Sequence, residues 1–176
     1  EHLAKKLKHS MPITIDPNNP NFGYFGGEGC SIIRAKDFDV DLVKKNDIVG
    51  LPNIRAIIDD ENGVQTLLFQ PLISYDFNNS QFDPKIFIQK AMLCLQSLFR
   101  NGLVHGSISK DIIYIGNSNE PLFGGFEKSI RKSDSIIDQA NDILSVAKII
   151  NDYISNSNLD NSTVYGDEYP LLADLL

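Results

Sequence analysis

Three groups of residues have types and spacing that bear on chemistry. Gly26-Gly27-Glu28-Gly29 offers small residues whose backbone amides can approach a phosphate, and Gly27 and Gly29 are its candidate contacts. The same spacing suits turn-forming glycines, which is the simpler reading. Lys44 and Lys45 are adjacent cations, for which exposure to solvent is the simpler reading. Asp59–Asp60, Asp111 and Glu127 are carboxylates that general acid–base chemistry could recruit, although exposed loop acids commonly have no such role. His105 stands alone, as a satisfied core histidine would. His2, His9 and His105 do not combine with Cys30 and Cys94 into any zinc-ligand spacing, so no metal is expected.

The elements that must position these groups change character along the chain. Residues 1–24 read as an N-terminal arm: Lys5, Lys6 and Lys8 form a short basic cluster, followed by Pro12, Pro17 and Pro20 among Asn and Asp. Extended segments follow at Ser31–Arg34 and Asp39–Val43. Ile54–Ile58 and Val64–Phe69 flank Asn62-Gly63, a strong hairpin signal. Beyond them, Asp83 and Pro84 open a helix. Its apolar residues recur at Ile88, Met92, Leu95, Leu98 and Phe99, and Gly102 ends it. Short strands are expected at 112–115 and 122–123 around a Gly116–Asn119 turn. A second helix over about 135–153 carries apolar residues on more than one face and is expected to be centrally buried. Asn156–Ser162 reads as a loop, and a last short helix is expected from Tyr169–Pro170.

Composition narrows the setting. The chain has 176 residues, 42% of them hydrophobic, enough for a real core in one domain or two small ones. A net charge of −7 argues against a non-specific grip on nucleic-acid backbone. No apolar run approaches the roughly 20 residues that span a bilayer. Two lone cysteines fit a reduced compartment, cytoplasmic or nuclear. The start at Glu1 without a methionine suggests an excised domain or a processed product, and nothing there resembles a signal peptide.

The connections sharpen this α+β pattern. Leu103-Val104-His105-Gly106-Ser107-Ile108-Ser109-Lys110-Asp111-Ile112-Ile113-Tyr114-Ile115 resembles the protein-kinase catalytic loop, I-V-H-R-D-I-K-P-x-N-I-L-I. Pro52-Asn53-Ile54 is similar to the H-P-N-I turn before the fourth small-lobe strand. Leu67-Leu68-Phe69-Gln70-Pro71-Leu72 looks like the fifth strand and hinge, with Phe69 as gatekeeper. Gly124-Gly125-Phe126-Glu127 sits where kinases carry D-F-G. Asp142-Ile143-Leu144-Ser145-Val146-Ala147 resembles the D-x-W-S-x-G start of the large lobe's central helix, and Gly26–Gly29 a shortened glycine-rich loop.

The resemblance implies a two-lobed, kinase-like fold: a small antiparallel sheet lobe over 25–72, then a mainly helical, partial large lobe over 73–176. It also implies lost chemistry. Phosphoryl transfer rests on positioning and charge neutralisation by a few oxygens and cations. The base aspartate is matched by Ser107, the phosphate-contacting lysine by Ser109, and the metal-binding asparagine by Ile112. The D-F-G aspartate is matched by Gly125. His105, Asp142 and Phe126 match structural positions, and Asp142 is expected to accept bonds from amides near His105 and Gly106. The strand lysine that pairs with phosphates is matched by Lys44. The short segment before Asp142 has no A-P-E, and only Asn46–Leu51 separate Lys44 and Lys45 from Pro52, too few for the regulatory helix. The expectation is therefore an inactive pseudokinase domain without cofactor, binding another protein as a homodimer or hetero-complex. The alternatives are a nucleotide-binding enzyme with displaced acids, and an unrelated α+β module.

Overall fold

The computed structural model describes residues 13–46, 48–59 and 62–157, which form two compact units, 13–39 with Pro52–Ile73 and Val40–Leu51 with 74–157. The fold is mixed α+β. Among the described residues no helix is long and apolar enough to cross a membrane.

The first unit is a five-stranded antiparallel sheet in the order β1-β2-β3-β5-β4. Its strands are β1 (Thr14–Asp16), β2 (Asn19–Phe25), β3 (Glu28–Lys36), β4 (Ile54–Asp59) and β5 (Val64–Phe69). Alternation along the strands sends Cys30, Ile32, Ala56 and Leu68 to one face, where Ile13, Phe25 and Ile58 pack against them. β3 and β4 flank β5, whose Leu67, Leu68 and Phe69 are all buried. Phe25 pairs with Glu28, so only Gly26 and Gly27 turn the β2–β3 hairpin. Their φ values of 58° and 81° are those of a type I′ turn, in which both central residues need the left-handed region. The expected Asn62-Gly63 hairpin joins β4 to β5, with Gly63 at φ 74°.

Two expectations are corrected here. Residues 14–24 are not an arm outside the core but strands of this sheet. Pro17 falls in the β1–β2 turn, which Asp16 closes by accepting the Asn18 N–H, and Pro20 lies beyond the register with β3, where a missing N–H breaks no ladder. Asp39–Val43 is not extended: Asp41–Lys44 forms a single helical turn, α1, whose N–H groups bond back to Val40 and whose Asp41 pairs with Lys45 at 3.3 Å. Val40–Leu51 also belongs to the second unit, because Val49 N–H donates to Ser97 Oγ and Phe123 N–H to the Gly50 carbonyl.

In the second unit α2 spans Pro84–Arg100 and α3 spans Ile136–Ser157. Asp83 accepts the Lys85 N–H at 2.9 Å with Pro84 in the first turn, and Gly102 at φ 68° follows the end of α2. Ser133 N–H bonds the Gly102 carbonyl, while Tyr153 meets Phe82 with ring centroids 4.7 Å apart, so α3 runs back along α2. A cluster of Tyr75, Phe77, Phe82 and Phe87 fills the space before α2, with edge-to-face contacts between 5 and 6 Å. Short ladders pair β6 (Leu103–Val104) with β9 (Arg131–Lys132), and β7 (Ile113–Ile115) with β8 (Pro121–Phe123).

α3 is less central than its composition suggests. Val146, Ala147, Ile149, Ile150 and Ile154 are buried, but Ala140 is exposed, and Ile136 and Ile137 are 83% and 73% exposed. The helix also continues past Tyr153 through Asn156 and Ser157, which were expected in a loop. The basic cluster before Pro12, the rest of the Asn- and Ser-rich stretch and the helix expected near Tyr169 lie outside the described residues.

Candidate functional site

Chain leaving α2 through β6 delivers His105 into the interior, fully buried. Its Nδ1 accepts the Ser107 N–H at 3.2 Å, which assigns the proton to Nε2, 3.3 Å from the Phe123 carbonyl. Burial pushes the imidazole below its ordinary 6.5, and this outweighs the Phe123 carbonyl and the Asp142 charge, which favour the cation. His105 is thus a neutral bracket between the loop and the end of β8.

Asp142, near the start of α3, is 2% exposed. Its Oδ2 accepts the His105 N–H at 2.7 Å and its Oδ1 the Gly106 N–H at 2.9 Å. One carboxylate therefore satisfies two consecutive amides of the loop, the bonds expected of it from the sequence. Charge-assisted bonds of this kind are strong, and they offset much of the cost of burying the ion.

Gly106 holds the loop's sharpest bend. At φ 85°, an added Cβ would stand 2.9 Å from Arg131 Nη1 and 3.0 Å from the Ser129 carbonyl. Ser129 Oγ in turn donates to the His105 carbonyl at 2.9 Å, and Arg131 pairs with Asp138 at 3.1 Å. Ser129, Arg131 and Asp138 were not singled out from the sequence. Nothing local marks them, since their contacts depend on β9 lying beside β6.

Ser107, Ile112, Gly124 and Gly125 close on one another. Ser107 Oγ donates to the Gly125 carbonyl at 2.9 Å. Gly125 adopts φ 73°, and a Cβ there would meet Ile112 Cδ1 at 2.7 Å. The Gly124 N–H bonds the Ile112 carbonyl at 2.9 Å, and a Cβ on Gly124 would strike the Tyr114 ring. Ile112 lies in a 3-10 turn, not in the strand expected from residue 112, and Ser109 is exposed just before it. Phe126 is fully buried behind this contact. A hydroxyl, an aliphatic side chain and two glycines thus meet at this point of the loop.

Among the candidate acids, Asp59 and Asp111 are exposed and Asp60 lies outside the described residues. Glu127 differs. It is 7% exposed, its Oε2 has no hydrogen-bond partner, and burial raises its pKa against the opposing effects of its own backbone amide and Lys128. Tyr114 is also raised, by burial and then by the Glu127 charge. Among the described residues no three His, Cys, Asp or Glu side chains gather to hold a metal ion.

The glycine and lysine candidates are placed elsewhere. Gly27 turns the β2–β3 hairpin in the first unit, and Gly29 sits in β3, where Phe22 packs so closely that a Cβ would be 2.9 Å from its ring. Lys44 lies exposed on α1 in the second unit, not on a strand. Cys30 and Cys94 are free and buried, and burial, followed by the Asp142 charge, pushes the Cys94 thiol up to about 12. No protein-family model and no curated protein matches the chain.

Proposed function

We propose that this chain is a pseudokinase-like module, catalytically inactive, which works by binding another protein. The observation that carries the reading is the loop Leu103–Ile112. Its scaffold contacts to Asp142 and His105 are complete, whereas Ser107, Ile112 and Gly125 bond and pack with one another at the positions of base and metal ligands. Mg²⁺ takes hard oxygen ligands in near-octahedral geometry, and these three side chains supply no carboxylate. Restoring Asp at 125 would require a left-handed backbone and displacement of Ile112. The antiparallel sheet, the capped helix after Asp83, and the β7–β8 pair support the same reading by their order.

The test is a thermal-shift titration with ATP and ADP, each with and without Mg²⁺. A ligand at a hundredfold excess over Kd adds about 2.7 kcal/mol of stability, easily read as a shift in Tm. No Mg²⁺-dependent shift is expected, and a shift that requires Mg²⁺ together with phosphate release would overturn the proposal. One observation favours a second reading, the buried carboxyl of Glu127, whose Oε2 has no hydrogen-bond partner and which in a displaced active site would serve as general acid or base. Phosphate release lost in Glu127→Gln would establish that reading instead.

A further inference from the structure

α2 has a second face that the core does not use. Met92, Leu93, Gln96, Phe99 and Arg100, with Ile143 of α3, line an open groove of about 700 Å³. Leu93 is 44% exposed there, and Met92, Phe99 and Ile143 are half-buried. A groove of apolar side chains ringed by polar ones is the form that docking sites take.

The chain itself carries a matching segment. α3 ends at Ser157, and Tyr153, one turn earlier, stands against Phe82 just before the start of α2. Residues 158–176 therefore continue from the end of the unit where α2 begins, with ample length to return along it. They finish in Tyr169-Pro170-Leu171-Leu172-Ala173-Asp174-Leu175-Leu176, whose leucines at 171, 172, 175 and 176 have the spacing of one helical face. Charge agrees with shape. Residues 158–176 contain Asp160, Asp167, Glu168 and Asp174 and no Lys or Arg, whereas α2 contains Lys85, Lys90 and Arg100, all exposed, and no Asp or Glu. An apolar stripe with acidic neighbours thus matches an apolar groove that Arg100 lines, on a helix whose charged residues are all basic. We propose that the leucine-rich segment 169–176 of the same chain docks in the α2 groove, covering Met92, Leu93 and Phe99.

Two reciprocal measurements on the full chain test this. Peroxide oxidation of Met92, followed by peptide mass analysis, reports cover from the groove side. Chymotryptic cleavage after Tyr165 and Leu172 reports it from the segment's side. L172D combined with L176D is expected to speed Met92 oxidation several-fold while the buried Cys94 thiol stays unreactive. L93D, at an exposed site, is expected to speed the two cleavages by a similar factor. Both effects should be independent of protein concentration. A Met92 rate unchanged by L172D/L176D overturns the proposal. So does protection that grows with concentration alongside a dimer mass in sedimentation, since a second copy would then be the occupant. Should L172D/L176D expose Cys94, and so have unfolded, the L93D cleavage rates decide alone: unchanged rates overturn the proposal and faster ones support it.

Discussion

The sheet unit and the helical unit are held together by different means. In the first, the ordering principle is sidedness: Cys30, Ile32, Ala56 and Leu68 share one face, and two tight hairpins set their register. All four buried polar or charged residues of the described chain, Ser97, His105, Glu127 and Asp142, lie in the second. Burying such groups costs free energy unless each finds partners. His105, Asp142 and Ser97 have theirs, while Glu127 keeps one oxygen without any. At His105 and Asp142, polar burial marks where the chain accepts a cost to hold a particular backbone shape, that of the loop Leu103–Ile112.

The comparison breaks most readily at Asp142. Asp142→Ala strands two buried amides and is expected to cost about 4 kcal/mol, measured by urea unfolding. A loss below about 1 kcal/mol would mean that the amides find other acceptors and the loop is not braced as described. In the sheet, Leu68→Ala leaves a cavity among Cys30, Ile32 and Ala56 and should cost about 3 kcal/mol. Its effect should add to that of Asp142→Ala if the two units are stabilised independently, and strong non-additivity would end the contrast.

Glycines sharpen the same point on a smaller scale. Gly106→Ala meets Arg131 and the Ser129 carbonyl at positive φ, so a loss of about 2 kcal/mol is expected. Gly27→Ala has open space around it and suffers only the φ penalty, about 1 kcal/mol. Equal losses at the two sites would show that backbone conformation alone, not packing against β9, fixes Gly106.

Titration gives the smallest effects, with opposite signs. His105 is depressed in the fold, so the unfolded chain takes up its proton first, and stability falls as pH drops below 6.5 towards the folded value. His105→Gln should flatten that acid limb in a pH series of Tm. Glu127 is raised, so its contribution is present at low pH and is lost as pH rises above 4.5 through the folded value. Glu127→Gln should therefore be more stable than the parent at pH 7, by on the order of 1 kcal/mol. A less stable Glu127→Gln would mean that the carboxylate has a favourable partner.

Much of the frame was legible along the chain because its signals are local. Asp83-Pro84 and Gly102 delimit α2, Asn62-Gly63 turns β4 into β5, and strands at 113–115 and 121–123 flank their turn, each one residue from the bounds expected. The misread parts depended on neighbours distant in sequence. β1 and β2 look irregular because of Pro17 and Pro20, and become strands only by pairing, β1 with β2 and β2 with β3. Asp39–Val43 alternates as a strand would, but no strand lies beside it and it curls into α1. Met92 and Phe99 fit the helical period of α2 yet line its outer groove, because period alone does not say which face meets the core.

At the site, the sequence determined which groups are present: a histidine, an aspartate near the start of α3, and Ser107, Ile112 and Gly125, none of which carries a carboxylate. It thereby determined what chemistry this loop does not contain, since no fold can give a glycine or an isoleucine a carboxylate. Only the tertiary structure decided that Asp142 reaches both loop amides, that Ser107 and Ile112 close on Gly125, and that Arg131 fills the space beside Gly106. These are contacts between segments 13 to 37 residues apart. Their partners are chosen by β6–β9 pairing and by α3 packing along α2, and no local preference along the chain encodes either.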